Sequence, residues 1–157
     1  QDTTVRLWDV GTRECVATLA GHTGSVWALA VLADGRLASG SGDFSVRLWD
    51  VATRACVGVL KGHTNWVTAL AALPDGRLVS GSWDRTIRVW DTRLVATAAG
   101  AGTGILALVK RFIPRTTPVV VLEGHTGAVF ALQPLPGGRL ASGSGDKTVR
   151  LWCLPPL

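Results

Sequence analysis

The sequence contains no methionine, and only three of its 157 residues are cysteine. Because the initiator methionine is missing, we expect the chain to be processed or to be a piece of a longer protein. Cys15 and Cys56 are far apart in the chain and Cys153 stands near the end, so no CxxC spacing occurs. This pattern predicts no zinc site, no disulfide framework and no cofactor. It fits a reducing compartment, the cytoplasm or the nucleus.

Charge is also sparse. Charged residues make up 17% of the chain, the net charge is +5, and no run of Lys or Arg is present. Many basic residues recur at fixed positions, such as Arg6, Arg47 and Arg88, and again Arg36 and Arg77. These copies account for much of the positive charge. The composition therefore does not favour nucleic-acid binding, which stays as a third alternative.

Strongly apolar runs are missing as well. No signal peptide opens the chain, and the uncharged stretch Leu94–Val109 is short and is diluted by Gly, Ala and Thr. A membrane-spanning helix needs roughly 20 predominantly apolar residues. The sequence therefore predicts no membrane span.

What the sequence does contain is internal repetition. The interval from His22 to His63 is shorter than the interval from His63 to His125. A single insertion between Asp91 and Gly124 explains the difference, and without it the period is constant. A constant period of about 40 residues is typical of a repeat architecture.

Each repeat has the pattern of four short strands. The three units are GHTGSVWALAVLADGRLASGSGDFSVRLWD, GHTNWVTALAALPDGRLVSGSWDRTIRVWD and GHTGAVFALQPLPGGRLASGSGDKTVRLWC. Their DG and GG dipeptides predict hairpin turns with positive φ, and the short runs of Val, Leu and Ala predict strands. A fourth strand follows the repeat tryptophan, as at Cys15–Leu19 and Cys56–Leu60. Four strands per period predict one propeller blade.

These in-register copies resemble the WD40 family over nearly the whole chain, apart from the insertion and the last few residues. The resemblance implies an all-β fold, a β-propeller fragment of four-stranded antiparallel blades in an open arc of about 3.5 blades. The predicted units are residues 1–20 (the last two strands of a truncated blade), 21–61 (a blade), 62–123 (a blade with an insertion at about 94–118) and 124–157 (a blade that lacks its fourth strand).

The resemblance also implies that upstream sequence is missing, because such rings usually close through an N-terminal strand. We then expect no contact between the first and last blades. The arc should then expose two blade faces, and these are apolar because the strands carry residues such as Val46, Leu48, Val89 and Leu151. An isolated arc should therefore aggregate, pair with itself or require the rest of its chain. For the insertion, packing on the blade, partner binding and a misread exon boundary all stay open.

In the family, a His, a Ser, an Asp and a Trp of each blade form a buried hydrogen-bonded chain. By position, the implied sets are His22, Ser39, Asp43 and Trp49; His63, Ser80, Asp84 and Trp90; and His125, Ser142, Asp146 and Trp152. A hydrolase triad is the alternative, but a nucleophile would not be copied three times in step with the packing period. We therefore predict no catalytic residues, no metal ligands and no enzymatic activity.

Four of the seven tryptophans, Trp8, Trp49, Trp90 and Trp152, are copies of the framework position, and the other three fall at positions that vary between repeats. The candidate partner-binding residues are Trp27, Phe44, Trp66, Trp83, Arg85, Phe130 and Lys147. Large aromatic residues near Arg and Lys are typical of interface hot spots. The sequence thus predicts a non-catalytic protein-interaction scaffold with no small-molecule substrate. For Trp27 and Phe130, packing between blades is the alternative.

The segment Leu78–Arg93 resembles the WDxR box of substrate receptors that dock on the damaged-DNA-binding adaptor of cullin-RING ubiquitin ligases. Most of the box is ordinary WD40 sequence. Only Arg93, two residues after Asp91, adds information, because Gly11 and Ala52 stand at the corresponding positions. A ligase substrate receptor, with Asp91 and Arg93 as docking residues, is therefore the alternative function.

Overall fold

The computed structural model describes residues 2–93 and 118–156, and within these ranges it contains four antiparallel sheets. They are the first sheet, β1 (Val5–Asp9) and β2 (Glu14–Leu19); the second, β3 (Val26–Val31), β4 (Leu37–Ser41), β5 (Val46–Asp50) and β6 (Ala55–Leu60); the third, β7 (Val67–Ala72), β8 (Arg77–Ser82), β9 (Ile87–Asp91) and β10 (Val120–Leu122); and the fourth, β11 (Val129–Leu135), β12 (Arg139–Ser144) and β13 (Val149–Cys153). The predicted all-β fold with four-stranded antiparallel blades is confirmed.

Consecutive strands pair within each sheet, and no strand pairing joins the first sheet to the fourth within the described ranges. In the third sheet, Val120 of β10 pairs with Val89 of β9, so these two strands flank the predicted insertion. That insertion, at about 94–118, lies outside the described residues except for Pro118. None of the described residues forms a helix long and apolar enough to cross a membrane.

The turns between the first and second strands of each repeat contain the predicted left-handed glycines. Gly35, Gly76 and Gly137 have φ of 86°, 87° and 74°. Glycine adopts this conformation at no steric cost, because it has no Cβ. The DG and GG dipeptides therefore form the hairpin turns that the sequence predicts.

The turns between the second and third strands hold a conformation that the sequence did not reveal. Phe44, Arg85 and Lys147 have φ of 69°, 72° and 69°, although none of them is glycine. A left-handed residue with a Cβ costs about 1–2 kcal/mol. Each one directly follows the aspartate of its repeat, and that carboxylate accepts the backbone N–H two residues further on, as from Ser45 to Asp43 at 3.0 Å. The side chain thus stabilises the turn that the backbone disfavours.

Neighbouring sheets pack through the third strands of the repeats. Val46 and Leu48 of β5 are completely buried in one cluster with Val67 of the third sheet. Val89 of β9 is buried in a second cluster with Val129 of the fourth sheet. The expectation that these strands expose an apolar face is therefore wrong for Val46, Leu48 and Val89, because the following sheet covers them.

The third strand of the fourth sheet differs from its counterparts. Leu151, at the position of Leu48 and Val89, is 67% exposed, and Val149 beside it is exposed as well. The apolar face of this strand is therefore exposed, as expected for Leu151.

Two buried arginines each connect one sheet to the next. The side chain of Arg36 is 4% exposed; it pairs with Asp34 at 2.7 Å and donates to the carbonyl of Thr92 in the third sheet, also at 2.7 Å. Arg77 pairs with Asp75 and donates across to the carbonyl of Pro155. A buried guanidinium is tolerated because it is paired and hydrogen-bonded. These arginines, copies of one repeat position, thus contribute contacts between sheets.

We expect two strand glycines to be intolerant of alanine because the next sheet closes directly on them. A Cβ at Gly40 would stand 2.7 Å from Cγ1 of Val67, and one at Gly81 would stand 2.6 Å from Cγ1 of Val129. Overpacking of this kind costs about 1–3 kcal/mol of the free energy of unfolding. Urea denaturation of Gly40→Ala and Gly81→Ala measures the loss.

Gly143 is the matched control, since it occupies the same repeat position in the fourth sheet. A Cβ there would meet nothing closer than the Cβ of Ala131, at 3.5 Å. Gly143→Ala should change the free energy of unfolding by less than about 0.5 kcal/mol. Equal losses at all three glycines would contradict the packing described above.

Candidate functional site

A chain of hydrogen bonds runs through the second, third and fourth sheets. In the second sheet, Nδ1 of His22 lies 2.8 Å from Oδ2 of Asp43, and its Nε2 lies 2.7 Å from Oγ of Ser39. The indole N–H of Trp49 donates to the same Ser39 oxygen at 2.8 Å. Because that oxygen accepts from the indole, the serine hydroxyl is free to donate to Nε2, and Nδ1–H then donates to the carboxylate.

The third and fourth sheets repeat this arrangement with the same atoms. The corresponding distances from His to Asp, from His to Ser and from Trp to Ser are 2.7, 2.7 and 2.8 Å in both sheets. All four residues of each implied set are therefore in contact. The hydroxyls of Ser39, Ser80 and Ser142 belong to residues with at most 1% exposure, and each one is hydrogen-bonded within its set.

The aspartate of each set is saturated with donors. In the second sheet, Oδ2 of Asp43 also accepts the backbone N–H of Thr23, while Oδ1 accepts the N–H and the hydroxyl of Ser45. Burial raises the pKa of Asp43, but the hydrogen bonds from Ser45 and His22 outweigh burial and hold this pKa at about 2. The carboxylate is thus ionised, and it connects the loop after the histidine to the turn between β4 and β5.

The other two aspartates are in the same situation. Burial raises the pKa of Asp84, and hydrogen bonds from His63 and Thr86 lower it by more. At Asp146, the hydroxyl of Thr148 has the largest effect, and it holds the pKa well below the usual range of a carboxyl group. All three carboxylates therefore stay charged in the folded protein far into the acid range.

Four exposed aromatic rings lie in a row over this framework, and we call them the aromatic ladder: Trp27, Trp66, Trp83 and Phe130. The rings of Trp27 and Trp66 are stacked with centroids 5.6 Å apart, those of Trp66 and Trp83 are tilted at 5.0 Å, and Trp83 meets Phe130 edge to face at 6.1 Å. Each residue is between 38% and 51% exposed. The ladder crosses from the second sheet over the third to the fourth.

The ring five residues after the histidine in the second and fourth sheets is replaced in the third sheet by a ring just before the aspartate. Trp27 and Phe130 stand five residues after their histidines, and each overlies a glycine, at position 42 or 145, where a Cβ would come within 3.4 Å of the ring. In the third sheet, the small Thr68 takes the first position and Trp83 replaces the glycine. Thr68 donates instead to the carbonyl of Val129 at 2.6 Å. The second and fourth sheets thus contribute their rings from β3 and β11, and the third sheet contributes Trp83 from the turn after β8.

From sequence alone, the aromatic residues are separate candidates, and packing between blades stays open for Trp27 and Phe130. The structure places both rings against a tryptophan of the third sheet, and about half of each residue is exposed. Phe44 is exposed at the tip of its turn and makes no ring contact with a described residue of the ladder. Repeat spacing gives the position of each ring in its own blade, but not its neighbour across the blades.

The indole N–H groups separate the two kinds of tryptophan. Trp49, Trp90 and Trp152 each donate to a serine of their own set. The indole N–H groups of the three ladder tryptophans have no acceptor among the described residues. The ladder therefore contains three indole N–H groups that no described residue accepts from.

Two cations stand at the tips of the neighbouring turns. Arg85 and Lys147 are exposed, follow the aspartates of the third and fourth sheets, and pair with no carboxylate in the described part of the chain. Phe44 occupies the same tip in the second sheet. The tips of the turns thus change from apolar to cationic along the direction of the ladder.

The predicted adaptor-docking residues lie at the other end of β9. Arg93 donates from Nε and Nη2 to the two carboxylate oxygens of Asp91, at 2.9 and 2.8 Å. This pairing holds the pKa of Asp91 below its ordinary value, and the Arg93 side chain is 54% exposed. Because β9 separates Asp91 from the turn that carries Trp83, the two candidate surfaces are distinct.

Comparison with known proteins identifies the repeats. A family model described as WD domain, G-beta repeat matches three segments, residues 13–50, 54–91 and 116–153. No curated protein matches the chain. The three segments together make up more than half of the sequence, and each one contains a complete hydrogen-bonded set of His, Ser, Asp and Trp.

We expect the free energy of unfolding to fall steeply in acid because of the three aspartates. Their pKa values are lowered in the folded state from about 3.8, so their stabilising effect is complete above about pH 4 and is lost as the pH falls towards 2. Urea denaturation between pH 7 and pH 2.5 measures this dependence.

Asp84→Asn is the matched control, because the amide of asparagine does not ionise in this range. The variant should be less stable at pH 7 and should have a shallower acid slope, by up to about 1.4 kcal/mol per pH unit. An unchanged slope would show that Asp84 does not carry the lowered pKa.

Proposed function

The chain belongs to the WD40 family, whose repeats are typical of protein-interaction scaffolds, and we propose that it is a non-catalytic scaffold whose protein partner docks on the aromatic ladder. The ladder is the observation that carries this proposal. Its four rings are exposed, in mutual contact and outside the hydrogen-bonded framework. Contiguous exposed aromatic surface rimmed by polar residues is typical of interaction sites.

Preorganisation supports the same surface. The rings of Trp66 and Trp83 contact each other. Their backbones are also joined, because the N–H of Trp83 donates to the carbonyl of Trp66 at 2.9 Å. A partner that binds rigid aromatic side chains loses little conformational entropy to ordering them. Trp66 and Trp83 lie at the centre of the ladder, where hot-spot residues are expected.

The three exposed free cysteines, Cys15, Cys56 and Cys153, support a reducing location, in the cytoplasm or the nucleus.

The ligase-receptor alternative rests on Asp91 and Arg93, and the described contacts do not favour it over the scaffold role. It stays a sequence prediction. Co-immunoprecipitation tests it: the wild-type protein should recover the adaptor, and Arg93→Ala should not. Nucleic-acid binding likewise stays a sequence alternative, with steep salt dependence as its signature.

Trp66→Ala and Trp83→Ala should each weaken partner binding by about tenfold or more, because each removes a central ring of the ladder. The measurement is quantitative affinity purification of partners from cell extract with wild-type and variant protein. Trp8→Ala is the matched control, since Trp8 is 56% exposed but lies on β1, outside the ladder.

Circular dichroism and thermal unfolding establish that each variant is folded. Loss of the same partners from both ladder variants, with retention by Trp8→Ala, supports the proposal. Wild-type recovery by folded Trp66→Ala and Trp83→Ala would exclude this surface as the docking site.

A further inference from the structure

We propose that the aromatic ladder receives an extended, proline-rich peptide segment that carries acidic residues at one end. This inference rests on the proposed scaffold function, and it names the chemistry of the partner. Three observations carry it: the unused donors of the ladder, the shape of its stacked rings, and the distribution of charge along its turns.

The donors favour an extended chain over a helix. The three ladder tryptophans present indole N–H groups without acceptors in the described structure. In a helical partner the backbone carbonyls are used inside the helix. A polyproline II segment has no internal hydrogen bonds, so its carbonyls are available to these donors. The indoles of the ladder thus match a partner with free backbone acceptors.

The rings favour proline in that chain. The stacked pair Trp27–Trp66 and the edge-to-face pair Trp83–Phe130 form one row of apolar rings, and each residue is between 38% and 51% exposed. Proline side chains are flat and apolar, and a polyproline II chain is already ordered before it binds. Aromatic-lined surfaces recognise such chains at a low cost in entropy.

The charges favour acidic residues. The turns between the second and third strands of the repeats contain three carboxylates, those of Asp43, Asp84 and Asp146, and each one is occupied by its histidine and by backbone donors. Exposed carboxylates lie at the edges of this surface, Asp2 beside Trp27 and Glu123 in the loop before β11. The cations of Arg85 and Lys147 have no such partner among the described residues. The turn tips of the third and fourth sheets therefore present two cations that no described carboxylate neutralises, so a partner with carboxylates complements them.

The turn tips also give the bound segment a direction. Phe44 occupies the tip in the second sheet, whereas Arg85 and Lys147 occupy it in the third and fourth. The proline part of the segment is therefore expected over Trp27 and the second sheet. The acidic end is expected beside the third and fourth sheets.

Synthetic peptides test the proposal directly. The probe is a peptide of about six prolines followed by two glutamates, and its matched control has two glutamines instead. A third peptide of alanine, leucine and glutamate carries the same charge on a helix. Binding to the protein is measured by the indole N–H signals in ¹⁵N–¹H NMR spectra, assigned through single Trp→Phe variants.

With the acidic proline peptide, the signals of Trp27, Trp66 and Trp83 should shift, while those of the serine-bonded Trp49 and Trp90 should not. The glutamine peptide should bind about tenfold more weakly. Trp66→Ala should abolish the shifts at the other two ladder indoles.

Glycine variants isolate the charges without disturbing the fold, because these turn residues already have positive φ. Arg85→Gly and Lys147→Gly should lower the affinity for the acidic peptide towards the affinity that the wild-type protein has for the glutamine peptide. Arg54→Gly is the matched control, since Arg54 has φ of 61° but lies in the turn between β5 and β6, at the opposite end of β5. It should leave the affinity unchanged.

Two results would overturn the proposal. One is tighter binding of the helical peptide than of the acidic proline peptide, and the other is the absence of shifts at all ladder indoles with every peptide. If either occurs while Trp66→Ala still loses its partners from cell extract, the scaffold function stands and only the partner chemistry is wrong. If the variant also keeps its partners, both are wrong.

Discussion

A carboxylate buried beneath each repeat must be hydrogen-bonded, and the rest of the structure is arranged around that requirement. Asp43 accepts from His22, from the N–H of Thr23, and from the N–H and the hydroxyl of Ser45. An unpaired carboxylate in this position would be strongly destabilising. These hydrogen bonds connect the loop before β3 to the turn between β4 and β5. They also hold the residue after the aspartate, Phe44, in a left-handed conformation.

The same constraint distinguishes the residues that hold the blades together from the outward residues that vary between blades. Because the hydrogen-bonded set fixes two backbone segments per blade from below, the outward side chains on those segments can change without loss of the fold. Three sheets carry the same set but different outward residues, such as Phe44, Arg85 and Lys147 at one position. The aromatic ladder is built on these positions, so its geometry depends on the hydrogen-bonded residues beneath it.

The sequence predicted those features whose cause lies within one repeat. Periodicity predicted the strands, the resemblance to the WD40 family implied the hydrogen-bonded sets, and DG dipeptides predicted left-handed glycines such as Gly35. Contacts between neighbouring blades were not predicted, because the spacing of residues within one repeat does not give the distance to residues of the next blade. The stacking of Trp27 on Trp66 and the bond from Arg36 to the carbonyl of Thr92 are of this kind.

Native-state hydrogen exchange tests most directly whether the buried carboxylate positions the ladder. The N–H of Trp83 donates to the carbonyl of Trp66, and the N–H groups of Gly42 and Gly145 make the equivalent bonds in their own sheets. In Asp84→Ala, exchange at Trp83 should accelerate by about tenfold or more relative to Gly42 and Gly145, because only the third sheet has lost its carboxylate. If Trp83 exchanges no faster than those two glycines, the carboxylate does not hold the turn, and the account of the ladder is contradicted.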